Sequence, residues 1–507
     1  MSKLHSGNVL LIAAIFCVVT AIASPAQTLT TIHNFDGTDG QGPRALVQGI
    51  NGVLYGTTAA GGIGCSGPVI NGCGLAYGVT PNGQFGTLYK FCSLANCADG
   101  TQPNGLVLGS DGNLYGSTYE GGFSHYLCIA GGLGSCGTLF KMTPAGRLTT
   151  LYKFCAENLC ADGSNPQSAV AFGTNGNLYG TTFVGGFIEG DFCPVGCGIV
   201  YELTPAGTLT TLHEFCEGRC YDGSGGNGLT LGTDGAFYGV SNTNRAEAGG
   251  SVYRISPGGS FVTLAQFCTD DSCATGAYVR PVVEGPDGNF YGTTLLGGGP
   301  NGGGTFFRIS PTGELTTLYD FCSLANCADG SGPGPVILGS DGNFYGTTGS
   351  DAANCSRGRC GTAFEITPSG VLTTLYNFCS QTSCSDGSSP GTLTQGTDGN
   401  FYGPATYGGT SSNCINGCGT VFKLSTGLKP FVKANPKFGT PGKVVGILGN
   451  NLSSTTSVSF NGVPANFKVV SGTYLTAQVP SGATTGTITV TTSGGTRSSD
   501  VPFQVLP

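Results

Sequence analysis

GLVLGSDGNLYGSTYEGG (residues 105–122) and GTLFKMTPAGRLTTLYKF (residues 137–154) decide the fold of this chain. Between residues that favour turns, they contain four short runs rich in Val, Leu, Thr, Tyr and Phe, a composition typical of β-strands. We label these predicted strands a, b, c and d in chain order. The DGN turn between a and b and the TPAG turn between c and d are signals that join antiparallel strands. The stretch therefore predicts one four-stranded antiparallel sheet.

The same pattern recurs along most of the chain. The Tyr-Gly step of strand b occurs seven times, at intervals of 53 to 64 residues. Its tyrosines are Tyr55, Tyr115, Tyr179, Tyr238, Tyr291, Tyr345 and Tyr402. Repeats of this length with four strands each predict an all-β fold, a seven-bladed β-propeller that occupies residues 27–426. We expect the repeated aromatic side chains to fill the space between blades.

The two ends of the repeat region indicate how the ring closes. The segment TLTTIHNF (residues 28–35) has the pattern of strand d, but no strand a, b or c precedes it. The last unit ends with GTVFKLS (residues 419–425), a strand c with no strand d after it. An open array would need capping repeats. We therefore expect the N-terminal strand to complete the last blade.

The first 26 residues have the pattern of a secretory signal peptide. Lys3 precedes an uncharged stretch from Val9 to Ala23, and small residues follow it. A retained membrane anchor is the alternative, but this stretch of about 15 residues is shorter than the ~20 that span a bilayer. We expect a protein that is secreted or held in the outer envelope of a bacterium, with no transmembrane segment after cleavage.

Composition excludes one class of partner. The formal net charge is -8, and charged residues make up only 9% of the chain. Because no basic surface is available to neutralise phosphates, nucleic-acid binding is excluded. Hydrophobic residues reach 39%, which is enough for a large core.

The cysteines fall into local pairs. Cys17 leaves with the signal peptide, and 22 cysteines remain. Six pairs follow a Phe: Cys92/Cys97, Cys155/Cys160, Cys216/Cys220, Cys268/Cys273, Cys322/Cys327 and Cys379/Cys384. Five lie in Gly-rich segments: Cys65/Cys73, Cys128/Cys136, Cys193/Cys197, Cys355/Cys360 and Cys414/Cys418. A unit that lacks one member of a pair lacks both, which favours eleven disulfides. Zinc is the competing interpretation, but a closed zinc site needs four ligands and one unit offers only two.

In these motifs, the repeat resembles the GloVer-type repeat of bacterial extracellular proteins, whose hallmark is GNLYGTT followed by GG and GTxFxxTPxG. The resemblance covers about residues 28–425. It implies a secreted or envelope protein but brings no established reaction or ligand.

The C-terminal part has a different pattern. After a short linker at residues 427–430, the chain reads as short strands over residues 431–507, with an Asn461-Gly462 hairpin turn, which predicts a small β-sandwich. NPKFGTPG, SVSFNGVPA and VPSGATTGTITVTT resemble an IPT/TIG domain of the immunoglobulin-like class. The resemblance implies an interaction module or a spacer.

No catalytic constellation is visible in the sequence. His33 and His213 occupy a strand-d position where other units have Tyr, which favours packing. Two sets of Asp-Gly turns recur, and we expect their aspartates to bind their own turn backbone. The sets are Asp99, Asp162, Asp222, Asp329 and Asp386, and Asp111, Asp234, Asp287, Asp341 and Asp398. No metal or cofactor is assigned; calcium at the first set stays open, although the usual spacing is absent.

Propeller topology places the long connections at one end of the ring. The b–c and d–a loops, which carry all the predicted disulfides, share the end that we call the disulfide face; the a–b and c–d turns share the other end, the turn face. Loops on rigid scaffolds commonly bind ligands. The candidate ligand-binding residues are Phe123, His125, Tyr126, Phe187 and Phe192. We expect a non-enzymatic adhesion protein for a glycan or protein ligand. A carbohydrate-active hydrolase or lyase and a structural envelope component are the alternatives.

Overall fold

The computed structural model describes residues 27–62, 72–123, 136–186, 193, 195–216, 222–243, 249–350 and 360–507. Within this part of the chain, seven antiparallel sheets form between residues 28 and 425, and a β-sandwich follows. The predicted signal peptide lies outside the described residues. No helix among the described residues is both long and apolar enough to cross a membrane.

The strands of the seven sheets follow the predicted order a, b, c, d. The first is β1 (Thr28–Asn34). Sheet 1 contains β2 (Gln41–Pro43), β3 (Val47–Gln48), β4 (Leu54–Ala60), β5 (Leu75–Val79) and β6 (Phe85–Lys90). Sheet 2 contains β7 (Thr101–Leu108), β8 (Leu114–Glu120), β9 (Thr138–Met142) and β10 (Leu148–Lys153). Sheet 3 contains β11 (Ala171–Phe172), β12 (Leu178–Thr181), β13 (Ile199–Leu203) and β14 (Leu209–Glu214). Sheet 4 contains β15 (Ser224–Leu231), β16 (Phe237–Thr243), β17 (Ser251–Ile255) and β18 (Phe261–Gln266).

The remaining three sheets repeat the arrangement. Sheet 5 contains β19 (Ala277–Val279), β20 (Val283–Glu284), β21 (Phe290–Leu296), β22 (Thr305–Ile309) and β23 (Leu315–Asp320). Sheet 6 contains β24 (Ser331–Pro333), β25 (Ile337–Leu338), β26 (Phe344–Ser350), β27 (Thr362–Ile366) and β28 (Leu372–Asn377). Sheet 7 contains β29 (Ser388–Pro390), β30 (Thr394–Gln395), β31 (Phe401–Tyr407) and β32 (Thr420–Ser425). The predicted repeated four-stranded pattern is confirmed, with strand a divided into two pieces in sheets 1, 5, 6 and 7.

The N-terminal strand completes sheet 7. β1 pairs antiparallel with β32, from Thr28 opposite Ser425 to Asn34 opposite Thr420. The pairing extends past the strand, because the Phe35 N–H donates to the Gly419 carbonyl at 3.0 Å. The missing strand d of the last unit is therefore supplied by the start of the repeat region, as the sequence predicts.

Neighbouring sheets contact one another around a closed circuit. A strand-b hydroxyl donates to a strand-a carbonyl of the next sheet, as from Thr57 to Asn104 at 2.8 Å and from Thr293 to Gly334 at 2.8 Å. The circuit closes between sheets 7 and 1, where β2 contacts β31. The result is a propeller-like ring.

Strand a lies innermost in the ring. A Cβ atom built on Gly105 of sheet 2 would lie 3.8 Å from the Ala45 Cβ of sheet 1 and 3.7 Å from the Ala169 Cβ of sheet 3. Side chains from three consecutive sheets approach one another this closely only near the axis. The strands d lie outermost; β10, for example, has one exposed and five partly buried residues and none that is fully buried.

Aromatic rings fill the space between sheets. The strand-b tyrosine of one sheet stacks on the aromatic residue that precedes the equivalent tyrosine of the next sheet. Tyr238 lies 3.6 Å from Phe290, and Tyr345 lies 4.1 Å from Phe401, between ring centroids. Both tyrosines are 1% exposed. The expected packing role of the repeated aromatics is confirmed.

The C-terminal residues form two four-stranded sheets and a short parallel pair. The strands are β33 (Lys433–Asn435), β34 (Phe438–Gly439), β35 (Val444–Leu448), β36 (Thr455–Phe460), β37 (Val463–Pro464), β38 (Phe467–Ser471), β39 (Tyr474–Gln478), β40 (Ile488–Thr492), β41 (Gly495–Ser498) and β42 (Gln504–Val505). One sheet has the order β33-β35-β39-β38 and the other β37-β36-β40-β41, while β34 pairs with β42. A shared core that includes Ile447, Leu475 and Val490 lies between them. As predicted, Asn461 and Gly462 form a two-residue turn, both with positive φ.

This C-terminal sandwich is docked on the turn face of the ring. The Asn435 amide donates to the Gly109 carbonyl at 3.0 Å, and the Thr473 hydroxyl donates to the Ile50 carbonyl at 2.8 Å. The Gln504 amide donates to the Thr233 carbonyl at 2.6 Å. These contacts reach the a–b turns of sheets 2, 1 and 4. Since those sheets are distributed around the ring, the sandwich covers this end of the axis.

Candidate functional site on the disulfide face

Disulfides lie at one end of the ring. Seven bonds join described cysteines: Cys92–Cys97, Cys155–Cys160, Cys193–Cys197, Cys268–Cys273, Cys322–Cys327, Cys379–Cys384 and Cys414–Cys418. All seven belong to d–a or b–c connections. Cys73, Cys136, Cys216 and Cys360 are also disulfide-bonded. Their predicted partners Cys65, Cys128, Cys220 and Cys355 lie outside the described residues.

Bonding between the cysteines accounts for their clustering. The Sγ atoms of Cys193, Cys197 and Cys216 lie within 4.8 Å of one another, a spacing that would suit a metal ion. Zinc binds thiolates, however, and all three of these sulfurs are in disulfides. The cluster consists of disulfide sulfurs from a b–c loop and a d–a loop in contact, with Cys193 Sγ 3.7 Å from Cys216 Sγ.

A buried aspartate closes four of the five disulfide loops of the d–a type that the structure describes in full; in the fifth, the Cys268–Cys273 loop, Thr275 stands at this position. Asp162 is 1% exposed and accepts the Tyr152 hydroxyl at 2.7 Å and the Ala156 N–H at 2.9 Å on one oxygen. Its other oxygen accepts the Glu157 N–H at 3.1 Å. Sheets 1, 5 and 6 repeat the arrangement at the following loops with Tyr89 and Asp99, Tyr319 and Asp329, and Tyr376 and Asp386. We call this the aspartate latch.

The latch corrects one expectation from the sequence. These aspartates do not bind the backbone of their own Asp-Gly turn; they bind N–H groups five and six residues earlier, across the disulfide. Four 3₁₀ helices occupy these loops: Ala95–Cys97, Asn158–Cys160, Ala325–Cys327 and Thr382–Cys384. Each has a residue with positive φ inside it, such as Leu159 at 56°. The carboxylate and the disulfide together hold this strained loop conformation.

The two described histidines are variants of the latch. His33 Nε2 lies 2.9 Å from Asp39, and His213 Nε2 lies 2.8 Å from Asp222. Each imidazole also stacks on a Phe of the next sheet, His33 on Phe85 at 3.8 Å and His213 on Phe261 at 3.6 Å. The packing role is confirmed. Where strand d has Tyr, as at Tyr152, strand d of the next sheet begins with Leu and not with Phe. The co-occurrence of His in one unit and Phe in the next was therefore a signal available in the sequence.

A half-open cleft lies on the disulfide face between sheets 6 and 7. Its volume is about 610 Å³, and its walls carry hydroxyl, amide and backbone groups together with two disulfides. It is lined by Tyr407, Thr410, Ser411, Asn416, Ser383 and Ser388, among others. Ile415, next to the cleft wall, is 87% exposed. The cleft therefore combines hydrogen-bonding groups with an apolar rim.

Large exposed apolar side chains concentrate on the same face. Ten such residues are present among the described residues, and six belong to loops or strand ends of the disulfide face. These six are Leu94, Phe123, Leu159, Leu296, Leu324 and Ile415. Exposed apolar groups that share one face of a protein mark interaction surfaces. Most of them lie in loops fixed by a disulfide, so their positions cost little entropy to maintain in a complex.

Of the five candidate ligand-binding residues, only Phe123 is described. It is 45% exposed, and the Lys153 ammonium lies 5.4 Å from its ring centroid. His125, Tyr126, Phe187 and Phe192 lie outside the described residues. The sequence analysis did not predict a role for Tyr407 or Ile415. For Ile415, its position inside the Cys414–Cys418 loop was a signal that could have been used.

The second set of aspartates lies on the turn face and behaves as expected. Asp111 accepts the Asn113 N–H of its own turn at 3.1 Å, and its other oxygen accepts the Tyr115 hydroxyl at 2.9 Å. Burial raises the pKa of this carboxyl, but hydrogen bonds from Lys141 and Asn113 lower it more, to about 2. The equivalent Asp287, Asp341 and Asp398 make the same two bonds in their sheets.

Comparison with known proteins identifies the repeat. The Gloeobacter/Verrucomicrobia repeat matches residues 125–328 and residues 228–499, which together span well over half of the chain. No curated protein matches the chain in sequence.

Solved structures resemble the chain weakly. The surface component PorZ of the type-IX secretion system of Porphyromonas gingivalis has 11% identity and a TM-score of 0.45, covering 90% of this chain and 58% of its own. The WD40 propeller domain of Doa1 has 11% identity and a TM-score of 0.45, covering 79% and 97%. A gluconolactonase-like protein has 10% identity and a TM-score of 0.38, covering 80% and 94%.

Proposed function

The chain belongs to the Gloeobacter/Verrucomicrobia repeat family, and from this premise we propose that it is a binding protein that works outside the cytoplasm. Its fold would be a seven-bladed propeller whose disulfide face binds a glycan or a protein. The observation that carries the proposal is the distribution of exposed apolar residues: six of ten lie on the disulfide face, around loops fixed by disulfides and aspartate latches.

Two further features support this location and this face. Disulfides persist in oxidising compartments, and eighteen described cysteines are bonded, which agrees with the predicted signal peptide at residues 1–26. The turn face is occupied by the C-terminal sandwich, so the disulfide face is the end of the ring that a ligand can approach. We also propose that the sandwich is an IPT/TIG-like module at residues 431–507 and that it stabilises the ring by docking.

The test is a binding experiment with residues 27–507 produced with intact disulfides. The immobilised protein is exposed to a panel of polysaccharides and envelope proteins while retention and new reducing or unsaturated sugar ends are measured. We expect retention without product. Replacing both Tyr407 and Ile415 with Ser removes the aromatic and apolar groups at the cleft and should weaken retention about tenfold. Val371→Ser, at an exposed position on the turn face, is the matched control.

A carbohydrate-active enzyme is the second candidate, favoured by one observation. Glu120 is 3% exposed, its Oε1 has no hydrogen-bond partner in the described part of the chain, and burial raises its pKa, as a general acid requires. Hydrolysis would also need a second carboxylate about 5 to 9.5 Å away. Product that forms with the wild-type protein and is lost in Glu120→Gln would replace the binding proposal with this one. If neither retention nor product is detected, both proposals fail and a structural role in the envelope remains.

A further inference from the structure

Two arginines occupy the same repeat position on the innermost strands. Arg44 lies five residues before Gly49, and Arg280 lies five residues before Gly285, the glycines that begin the a–b turns of sheets 1 and 5. Their backbone N–H groups donate to equivalent strand-b carbonyls, those of Thr57 and Thr293, both at 2.8 Å. The repeat therefore places both side chains at one level along the axis.

The order of the sheets places the two arginines on opposite sides of this axis. Sheet 1 contacts sheets 2 and 7, so sheets 4 and 5 lie across the ring from it. The inner strands are close together at this level, since Ala45, the residue after Arg44, approaches the Gly105 position of sheet 2 within 3.8 Å. The residue after Arg280 is equally close to its neighbour, with Pro281 Cγ 2.9 Å from a Cβ built on Gly228. The inner strands that carry the two arginines thus border a narrow axial space.

Neither arginine has a counter-charge among the described residues. The Nε atoms of Arg44 and Arg280 are fully buried and make no hydrogen bond to any described group. No salt bridge involves either residue in the described ranges; Arg44 Nη1 has one long contact, 3.5 Å to Asn104 Oδ1. Burial lowers the pKa of both guanidinium groups. Buried charges are normally paired, because desolvation of an unpaired ion is costly.

The polar group that Arg44 contacts is a neutral amide. The Asn104 amide donates to the Pro166 carbonyl at 2.7 Å, which turns its oxygen toward Arg44. Two guanidinium groups without a counter-charge among the described residues make an environment that favours negative charge. The docked sandwich covers the opposite end of the axis, so access is from the disulfide face.

We propose that Arg44 and Arg280 form an axial binding site for an oxyanion that enters from the disulfide face. The planar guanidinium fork binds carboxylate, sulfate or phosphate through two parallel hydrogen bonds, and Nε is one of the donors it uses. The oxyanion is either a free inorganic ion or the carboxylate of an acidic sugar. This site is separate from the cleft between sheets 6 and 7 and does not depend on the ligand proposed for it.

Calorimetric titration of residues 27–507 with sodium phosphate, sodium sulfate, glucuronate and glucose at low ionic strength tests the site. We expect binding of the anions and none of glucose; tighter binding of glucuronate than of the inorganic ions would identify a sugar acid. Arg44→Met and Arg280→Met keep the apolar part of each side chain and should each weaken anion binding about tenfold or more. Arg147→Met, at a c–d turn on the turn face, should bind as the wild type does.

Melting temperatures separate this site from a structural role. In buffer without these anions, the Arg44→Met/Arg280→Met double variant should be at least as stable as the wild type, because it lacks two uncompensated charges; added phosphate or glucuronate should stabilise only the wild type. A double variant that still binds the anions, or a wild-type protein that binds none of them, would overturn the proposal. The second outcome needs no variant, so the test holds even if a substitution impairs folding.

Discussion

The two ends of the ring stabilise their loops in different ways. On the disulfide face, Asp162 is buried and accepts hydrogen bonds from a tyrosine and two N–H groups of a disulfide loop. On the turn face, Asp111 remains 40% exposed, pairs with Lys141 and holds only its own tight turn. The turn face has no described disulfide but is covered by the C-terminal sandwich. The same Asp-Gly dipeptide thus occurs at both ends of the ring. On the disulfide face it stabilises a loop that is also held by a disulfide, and on the turn face it stabilises a tight turn at the end that the sandwich covers.

The contrast between the two ends shows where this fold needs additional stabilisation. The short turns of the turn face maintain themselves with local hydrogen bonds, and the docked sandwich shields the a–b turns that it contacts from solvent. The long connections of the disulfide face have many more conformations available when unfolded, so restricting them contributes more. We expect four perturbations to separate the two ends, from the largest effect to the smallest.

Phe438→Ala tests whether the sandwich is a structural part of the turn face. Phe438 is 9% exposed and packs in a cluster with Tyr179 and Phe237 of sheets 3 and 4. Truncation to Ala should cost about 3 kcal/mol of unfolding free energy, measured by chemical denaturation. Val444→Ala, in the same module but 59% exposed, should change it by less than about 0.5 kcal/mol. Unchanged unfolding of the ring in Phe438→Ala would show that the sandwich is only tethered.

Asp162→Asn and Asp111→Asn compare the two kinds of aspartate directly. In either orientation, the amide at residue 162 would place its NH2 group against a backbone N–H, that of Ala156 or that of Glu157, at a cost of about 2 kcal/mol. The exposed position 111 should lose less than about 1 kcal/mol. Denaturation of both variants under identical conditions gives the difference. Equal losses would show that burial does not distinguish the latch from the turn.

Removal of the Cys155–Cys160 disulfide measures how much one covalent bond contributes to the stability of the disulfide face. In Cys155→Ala/Cys160→Ala, the unfolded chain gains the freedom of a short loop, which corresponds to about 2 kcal/mol in the chain-entropy model. Limited proteolysis should then cut near residues 155–163, while the a–b turn of the same sheet stays intact. Cleavage at the turn face instead would contradict the assignment of disulfides to the end that needs them.

Acid titration should reveal the turn-face carboxylate. The pKa of Asp111 is lowered to about 2 from its ordinary 3.8, so its bonds stabilise the folded state fully above pH 3.8 and are lost as the pH falls through 2. Because the group is partly exposed, the effect should stay below about 1 kcal/mol. Between pH 5 and pH 2, the Asp111→Asn variant should lose correspondingly less stability than the wild type. Parallel curves would show that Asp111 contributes nothing to acid sensitivity.

Features with local or repeated signals were predictable from the sequence. The strand order, the closure by β1 and the Asn461-Gly462 hairpin follow from patterns that extend over a few residues. Cysteine pairs only four or five residues apart in the described bonds were equally visible. The aspartate latch was missed, since an Asp-Gly sequence has the same appearance at a simple turn and across a disulfide loop.

The sheets, their closure and the end of the ring that carries the disulfides follow from turn chemistry, periodicity and short-range pairing, which are all visible in the linear sequence. Which end is covered and which charges stay unpaired becomes visible only in the folded molecule. Asn435 and Gly109, which join the sandwich to the ring, are 326 residues apart, and Arg44 and Arg280 share one level of the axis only once seven sheets have closed around it. Contacts between residues this far apart in sequence depend on complementary surfaces and on desolvation in the folded molecule. No repeated pattern in the sequence indicates them.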